Sequence, residues 1–315
     1  SILIYTKGDF TNLNACQIDN LSEYYDLVNT IKKKSFQSNK QNLSGPWSIG
    51  GKKDSDLLNK LKGLKNRLYL DSKKFRYGIK TGLNKAFIVD KNLKNELVKV
   101  DINNNKIFEK VIRGSCLDKY TFSWDNYSLI NSHNGYEDKE PINVKKYFPT
   151  IYSYLFKFKN QLEKRTDKVI HWANLRSCSY LSEFQLPKVA WMNMNRGWKF
   201  SYIPKGFYIE ASLNFYADSE LAKYLVGIYS SNLHKWYFKQ VGRMFDDGGF
   251  MCKIDTISQF PVINPTQKQK IKIENYVDKF QKIFDEKYEE EMNEFIMDMY
   301  KLSKDEKKII SLDFK

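Results

Sequence analysis

Apolar residues follow two periods along this chain. Six short runs rich in aromatic and β-branched residues, at 76–81, 86–90, 127–131, 188–195, 199–203 and 207–216, each stop at Gly, Pro, Asn or Asp. Such residues suit a pleated surface and such stops suit turns, so the runs predict strands. Helical spacing interrupts them twice. Pro149 opens one helix with Ile151, Tyr154, Leu155, Phe158 and Leu162 on its face, and Asp218 caps another that carries Leu221, Leu225, Ile228 and Trp236. Upstream, Leu57, Leu58, Leu61 and Leu64 predict a helix over 54–64. Downstream of Phe260-Pro261 and Asn264-Pro265, Thr266 and Gln269 form a capping box. One long amphipathic helix is predicted there, with the stripe Ile273, Val277, Phe280, Phe284, Tyr288, Met292, Phe295 and Met299. Ser303 and Glu306 make a second capping box for a short final helix.

These elements predict an α+β fold: a mixed, mostly antiparallel β body with packed helices over 67–264, then a C-terminal helical arm over 265–315. Residues 1–66 read as a connector with a short helix. It has a β-like start at Ile2-Leu3-Ile4-Tyr5 and a polar linker from Ser35 to Gly51, broken at Ser44-Gly45-Pro46 and Gly50-Gly51. No internal repeat is visible.

Composition narrows the class of partner. With 42% hydrophobic and 28% charged residues the chain is globular rather than disordered, and 15% of it is aromatic. The net charge is +15, yet the segment from Thr266 onward holds 11 basic and 12 acidic residues, so the positive excess belongs to the body. A basic body favours a polyanion, most simply nucleic acid; the alternative is a lysine-rich composition without such a ligand. Cys16, Cys116, Cys178 and Cys252 are too far apart for a zinc ribbon and read as buried or idle thiols in a reducing compartment. No signal peptide is seen and no apolar run approaches the ~20 residues of a membrane span, so a cytoplasmic protein without a membrane partner is expected. The chain starts at Ser1, as expected of a domain cut from a longer protein or of a processed or tagged start.

Catalytic signatures are missing. The string nearest to a methyltransferase base-gripping motif, Ile263-Asn264-Pro265-Thr266, lacks a second Pro and an aromatic residue. There is no phosphate-binding Gly-rich loop, and no carboxylate cluster with the Lys of a metal-dependent nuclease. His133, His171 and His234 stand apart from other ligand types, so no metal site and no catalytic residue is expected in this chain. Asp246-Asp247-Gly248-Gly249 reads as a tight turn, with a divalent-ion site as the rival reading.

Four segments carry residues suited to DNA. The run Arg76 to Val89 reads as strand, turn, strand, presenting Lys80, Thr81, Asn84 and Lys85; Lys and Thr meet phosphates and Asn pairs with adenine, unless this is an ordinary hairpin. Arg113, beside Gly114-Ser115, and nearby Lys119 suit a phosphate, although Arg113 could equally pair with an internal carboxylate. In the stretch 191–200, Asn193, Asn195, Arg196 and Lys199 cluster at a hairpin tip, and Trp198 could stack or pack. Arg243 flanks the Asp-Gly loop, which makes a recognition loop the better reading there.

The same segments, in order, resemble the TaqI-like C-terminal specificity domain. The resemblance rests on Tyr77-Gly78-Ile79-Lys80-Thr81-Gly82-Leu83-Asn84-Lys85-Ala86-Phe87, Arg113-Gly114 with Leu117, Lys119 and Tyr120, and Leu162-Glu163-Lys164-Arg165. It continues through Trp172 with Leu175-Arg176, Phe184 with Pro187-Lys188, Gly248-Gly249-Phe250, Gln259-Phe260-Pro261, and Phe295, Met299, Tyr300 and Leu302 in the tail. Where the family carries Arg-Gly-x-Asp, this chain has Arg113-Gly114-Ser115-Cys116, so a carboxylate role does not carry over to position 116. The resemblance implies a target recognition domain that binds double-stranded DNA for a type IIG restriction–modification enzyme or adenine-specific methyltransferase. It implies an adenine-N6 methyltransferase domain N-terminal in the same parent chain, preceded in some members by a nuclease domain; these would need S-adenosylmethionine, with Mg as a second candidate cofactor, and none is expected in this chain. Two other readings stay open: a complete metal-dependent nuclease built on Asp246 and Asp247, and an RNA-binding, single-strand-binding or protein-interaction module with exposed aromatics.

Overall fold

The computed structural model describes residues 12–16, 25–39, 52–166, 169–245 and 248–312. The predicted β-like start at 2–5, residues 40–51 of the predicted linker, and Asp246-Asp247 lie outside them. Strand β1 (Asn12–Ala15), helix α1 (Leu27–Lys34) and strand β2 (Phe36–Asn39) come first, with β1 and β2 paired antiparallel. Helix α2 (Lys52–Lys62) buries Leu57, Leu58 and Leu61, the face that the leucine spacing predicts.

The body then runs β3 (Phe75–Tyr77), α3 (Asn84–Phe87), β4 (Ile88–Val89), α4 (Lys91–Val100), β5 (Phe108–Ile112) and β6 (Ser128–Ile130). Helices α5 (Val144–Tyr147), α6 (Pro149–Phe156) and α7 (Lys159–Glu163) follow. Next come β7 (Lys188–Met192), β8 (Met194–Asn195), β9 (Phe200–Ile203), β10 (Phe207–Ile209) and β11 (Leu213–Ala217). Helices α8 (Ala222–Ser230) and α9 (Asn232–Val241), strand β12 (Phe250–Met251) and helix α10 (Ile254–Ile257) complete it. The C-terminal helices are α11 (Gln267–Phe280), α12 (Glu286–Met299) and α13 (Lys304–Leu312).

The central sheet has the order β3-β11-β7-β9, antiparallel throughout. A second sheet, β10-β5-β6-β4, is antiparallel except for β10 against β5, and β8 pairs with β12 alone. The fold is therefore α+β. The central sheet is a wall between two cores, because successive side chains of a strand point to opposite faces. Val189, Trp191 and Tyr216 face a core shared with α2, α8, α9 and the C-terminal helices. Ala190, Phe215 and Ala217 face a core shared with the second sheet and α6. Both faces are covered, which is why β7 and β11 are buried almost along their whole length. Gly227 lets α8 approach α11: a Cβ there would stand 2.3 Å from Ile273 Cγ2.

Several predicted elements are corrected. The run 76–89 is no hairpin: β3 and β4 belong to different sheets, with α3 between them. The Thr81 hydroxyl accepts from Leu83 N at 3.1 Å and donates to Asn84 Oδ1 at 2.7 Å, so the chain turns helical instead. The helix expected after Asp218 is two helices, because Ser231 breaks it and caps α9 through His234 N. The single long C-terminal helix is also two: the capping box at Thr266 and Gln269 starts α11, and Asp285 starts α12 by accepting from Lys287 N and Tyr288 N. The apolar stripe survives the break, since both helices lie on one core. Only Phe284 and Tyr288, next to the turn, remain exposed. The helix after Pro149 likewise divides, into α6 and α7.

Candidate nucleic-acid interface

Both sheets end at one place. Past β3, Gly78 N donates to Leu213 O at 2.8 Å and Ile79 N to Ile209 O at 2.7 Å, stitching the central sheet to the second. The approach is so close that a Cβ on Gly78 would lie 1.8 Å from Glu210 O, which only glycine tolerates. Past β5, Gly114 N donates to the Glu210 carboxylate at 2.7 Å, and Ser212 Oγ donates to the same oxygen at 2.9 Å. Past β7, Asn193 N donates to Ser212 O and Asn193 O accepts from Cys252 N at 2.8 Å. Pairing of β8 with β12, and Met251 N on Arg243 O at 2.9 Å, bring in the loop after α9. Three of the four segments singled out from the sequence, around 77–85, 113–116 and 193–199, thus collect around the 210–212 turn, and the fourth, at 243–245 and 248–249, is attached to them through β12 and β8.

Their side chains do not all point outward. Trp198 is 1% exposed, donates its indole N–H to Tyr229 O at 2.8 Å and packs against Phe200, Phe238 and Phe250. Asn195 is also 1% exposed. Its amide donates to Lys199 O and its carbonyl accepts from Lys199 N, both at 2.8 Å, closing the turn. Asn193 is half-buried and accepts from Asn214 Nδ2 at 3.0 Å. Thr81 is buried in the turn described above, while Asn84, the first residue of α3, is exposed.

Several cations are committed inside the protein. Arg76 forks onto Glu183 at 2.7–3.1 Å and lies over the Tyr180 ring. Arg113 bonds Asp125 at 2.8 and 2.5 Å and stands 3.8 Å over Tyr127, so the internal-carboxylate alternative describes it. Asp125 also lies against the Cys116 thiol, whose pKa is pushed up chiefly by burial, so the carboxylate beside Arg113 comes from position 125 and not 116. Lys199 pairs with Asp118 at 3.1 Å. Lys119 faces away from the loop cluster and pairs with Glu289 of α12.

Lys80, Lys85, Arg196 and Arg243 are the exposed cations of the cluster, Lys80 lying 5.1 Å over the Tyr77 ring. Beside them stand exposed apolar side chains that the sequence reading passed over: Tyr77 at 45%, Met194 at 55% and Met244 at 43%. Alternation along β8 carries the signal for Met194, since Asn195 next to it points inward. Met244 sits on a bridge to Phe250 that nothing in the local sequence announces.

Among the described residues no group of three or more His, Cys, Asp or Glu side chains is placed to hold a metal ion, and no helix is long and apolar enough to cross a membrane. His234 is buried, and its pKa falls to about 3 through burial alone, which keeps the ring neutral. His133 is buried against the edge of Tyr136.

No family model and no curated protein matches the sequence. Among solved structures, the chain is similar to part of the type IIL restriction-modification enzyme MmeI, solved in complex with DNA: 13% identity, TM-score 0.58, 87% of this chain and 38% of that one. It also aligns with the type IIG restriction endonuclease BpuSI at 12% identity and TM-score 0.45, over 79% of this chain and 33% of that one. The chain therefore spans well under half the length of either, and the overlap with MmeI is a shared fold.

Proposed function

We propose that this chain is the DNA-recognition module of a restriction–modification enzyme, binding duplex DNA in a sequence-dependent way with the loops at the shared end of its sheets. The observation that carries this reading is the convergence of four loops on one surface of a basic body, with Lys80, Lys85, Arg196 and Arg243 facing outward. Lysines at the edge neutralise phosphates and set register; Arg196 and Arg243, at the tips of adjoining loops, suit the fork geometry of a guanine edge. Exposed Met194 and Met244 add apolar contact beside them, as a thymine methyl requires. The fold shared with a restriction-modification enzyme solved with DNA supports the same reading, as does the ordered resemblance to TaqI-like specificity domains. On that reading the parent is cytoplasmic and supplies an adenine methyltransferase domain using S-adenosylmethionine, and a Mg-dependent nuclease if it also cleaves. Binding would then position one adenine for extrusion into the methyltransferase pocket.

Selection of the chain against a randomised duplex pool at two salt concentrations tests this. Enrichment of one short motif, with affinity falling steeply as salt rises, is the expected result. Salt-sensitive retention with no motif would reduce the module to a phosphate-gripping one.

A further inference from the structure

A second basic surface lies next to the loop cluster and has a different chemistry. Residues 145–165 hold six basic side chains and a single acidic one, Glu163. On α6, Tyr152 and Phe156 meet the ring of Trp172 at centroid distances of 5.1 and 6.1 Å, and His171 lies 5.1 Å from Trp172. Phe156 is 55% exposed, Tyr152 and Trp172 are half-buried, and His171 is exposed. Lysines surround this aromatic group. Lys159 Nζ stands 5.5 Å over the Phe156 ring, and the pKa of His171 is lowered first by burial and then by Lys145 and Lys159, against the opposing pull of Glu163. Lys159 also has an exposed contact with Glu163 at 3.6 Å, of the kind that contributes little.

The surface is rigidly joined to the loop cluster. Arg165 donates to Thr81 O at 3.1 Å and, from its other nitrogen, to Trp172 O at 2.9 Å and Asn174 O at 3.0 Å. Thr81 lies between Lys80 and Lys85, so the Trp172 segment is tied to the turn that carries these two lysines.

We infer that the α6–Trp172 face binds a short stretch of unpaired DNA, its bases stacking on Phe156 and Trp172 and its phosphates meeting Lys145 and Lys159. The inference rests on the DNA-recognition reading above. Exposed ring faces have no use against intact duplex, whose base faces are hidden by stacking; they suit bases released from it. An apolar protein partner would cover the rings and leave the surrounding lysines without counter-charge, whereas a single strand supplies a ring face and a negative charge at every nucleotide.

Fluorescence anisotropy of the full chain tests this with two labelled probes, an eight-nucleotide mixed-sequence single strand and a fully paired duplex. The single strand should bind. Phe156→Ala should weaken it about tenfold and leave the duplex unchanged, while Phe156→Tyr, which keeps a ring, should restore it. Lys145→Ala with Lys159→Ala should weaken the single strand and flatten its salt dependence. Duplex binding without single-strand binding, or equal single-strand affinity in Phe156→Ala, would overturn the inference and leave the recognition reading standing. Binding of neither probe would overturn both.

Discussion

The loop cluster and the α6 face are both basic and aromatic, yet they use these residues in opposite ways. At the strand ends the polar and aromatic side chains are largely turned inward: Asn195 closes the 195–199 turn and Trp198 fills the core. On α6, Phe156 projects outward, with exposed Lys157 beside it, exposed Lys145 on α5 and half-buried Lys159 on α7. The difference follows from backbone chemistry. A helix satisfies most of its own N–H and C=O groups, so side chains on its outer face have no structural duty. A chain leaving a strand loses its ladder partners, and Asn, Thr and Ser side chains are drawn in to replace them. Residue types that suit DNA thus mean less at a strand end than on a helix face.

The largest expected effect breaks the symmetry between the two aromatics. Trp198→Ala should cost ~3–5 kcal/mol in denaturant unfolding, as large truncations in a core do. Phe156→Ala should change stability by less than ~0.5 kcal/mol, as surface substitutions do. The lysines offer a second contrast. At the far end of the central sheet Lys188 is fully buried, bonded only to Phe184 O at 2.9 Å and Phe207 O at 3.1 Å, and burial lowers its pKa to about 7. The unfolded chain holds this proton up to about pH 10, so between pH 7 and 10 it binds more protons than the folded one. Wild-type stability should therefore rise by ~2–4 kcal/mol across that window, through this group alone, and Lys188→Met should lack that rise in urea titrations at each pH. A smaller loss is expected from Asn195→Ala, ~1–3 kcal/mol by thermal or urea unfolding, because two backbone groups of the turn lose their partner. On the DNA-recognition reading, Arg196→Ala combined with Arg243→Ala should leave stability within ~0.5 kcal/mol, weaken duplex binding by ~1–3 kcal/mol per arginine and relax the selected motif. Unchanged affinity and an unchanged motif would move the base contact off these loops.

Much of the fold was legible because its signals are local. The capping box at Thr266 and Gln269, the leucine face of α2 and the run that became β9 were readable from spacing; the runs 188–195 and 207–216 read as single strands but divide into β7 and β8 and into β10 and β11, each pair split between different sheets. Strand β5 was missed because Glu109 and Lys110 interrupt its apolar run. Helix α4 was missed because only Leu97 on it is buried, too thin a stripe to show. The breaks at Ser231 and Asp285 are single capping residues inside continuous helical patterns, where the period alone favours one helix.

The candidate interface divides the same way. The sequence by itself determined which segments turn, where the excess positive charge lies and which residue types are available to meet DNA, since these depend on neighbours a few positions away. Only the tertiary structure decided that loops as far apart as Gly78, Gly114 and Asn193 meet around Glu210 and Ser212, with Arg243 joined to them through β12 and β8. It alone decided that Asn195 and Trp198 turn in while Arg196 and Met194 turn out. Exposure at a strand end is set by what the next strand and helix leave open, and those partners come from distant parts of the chain.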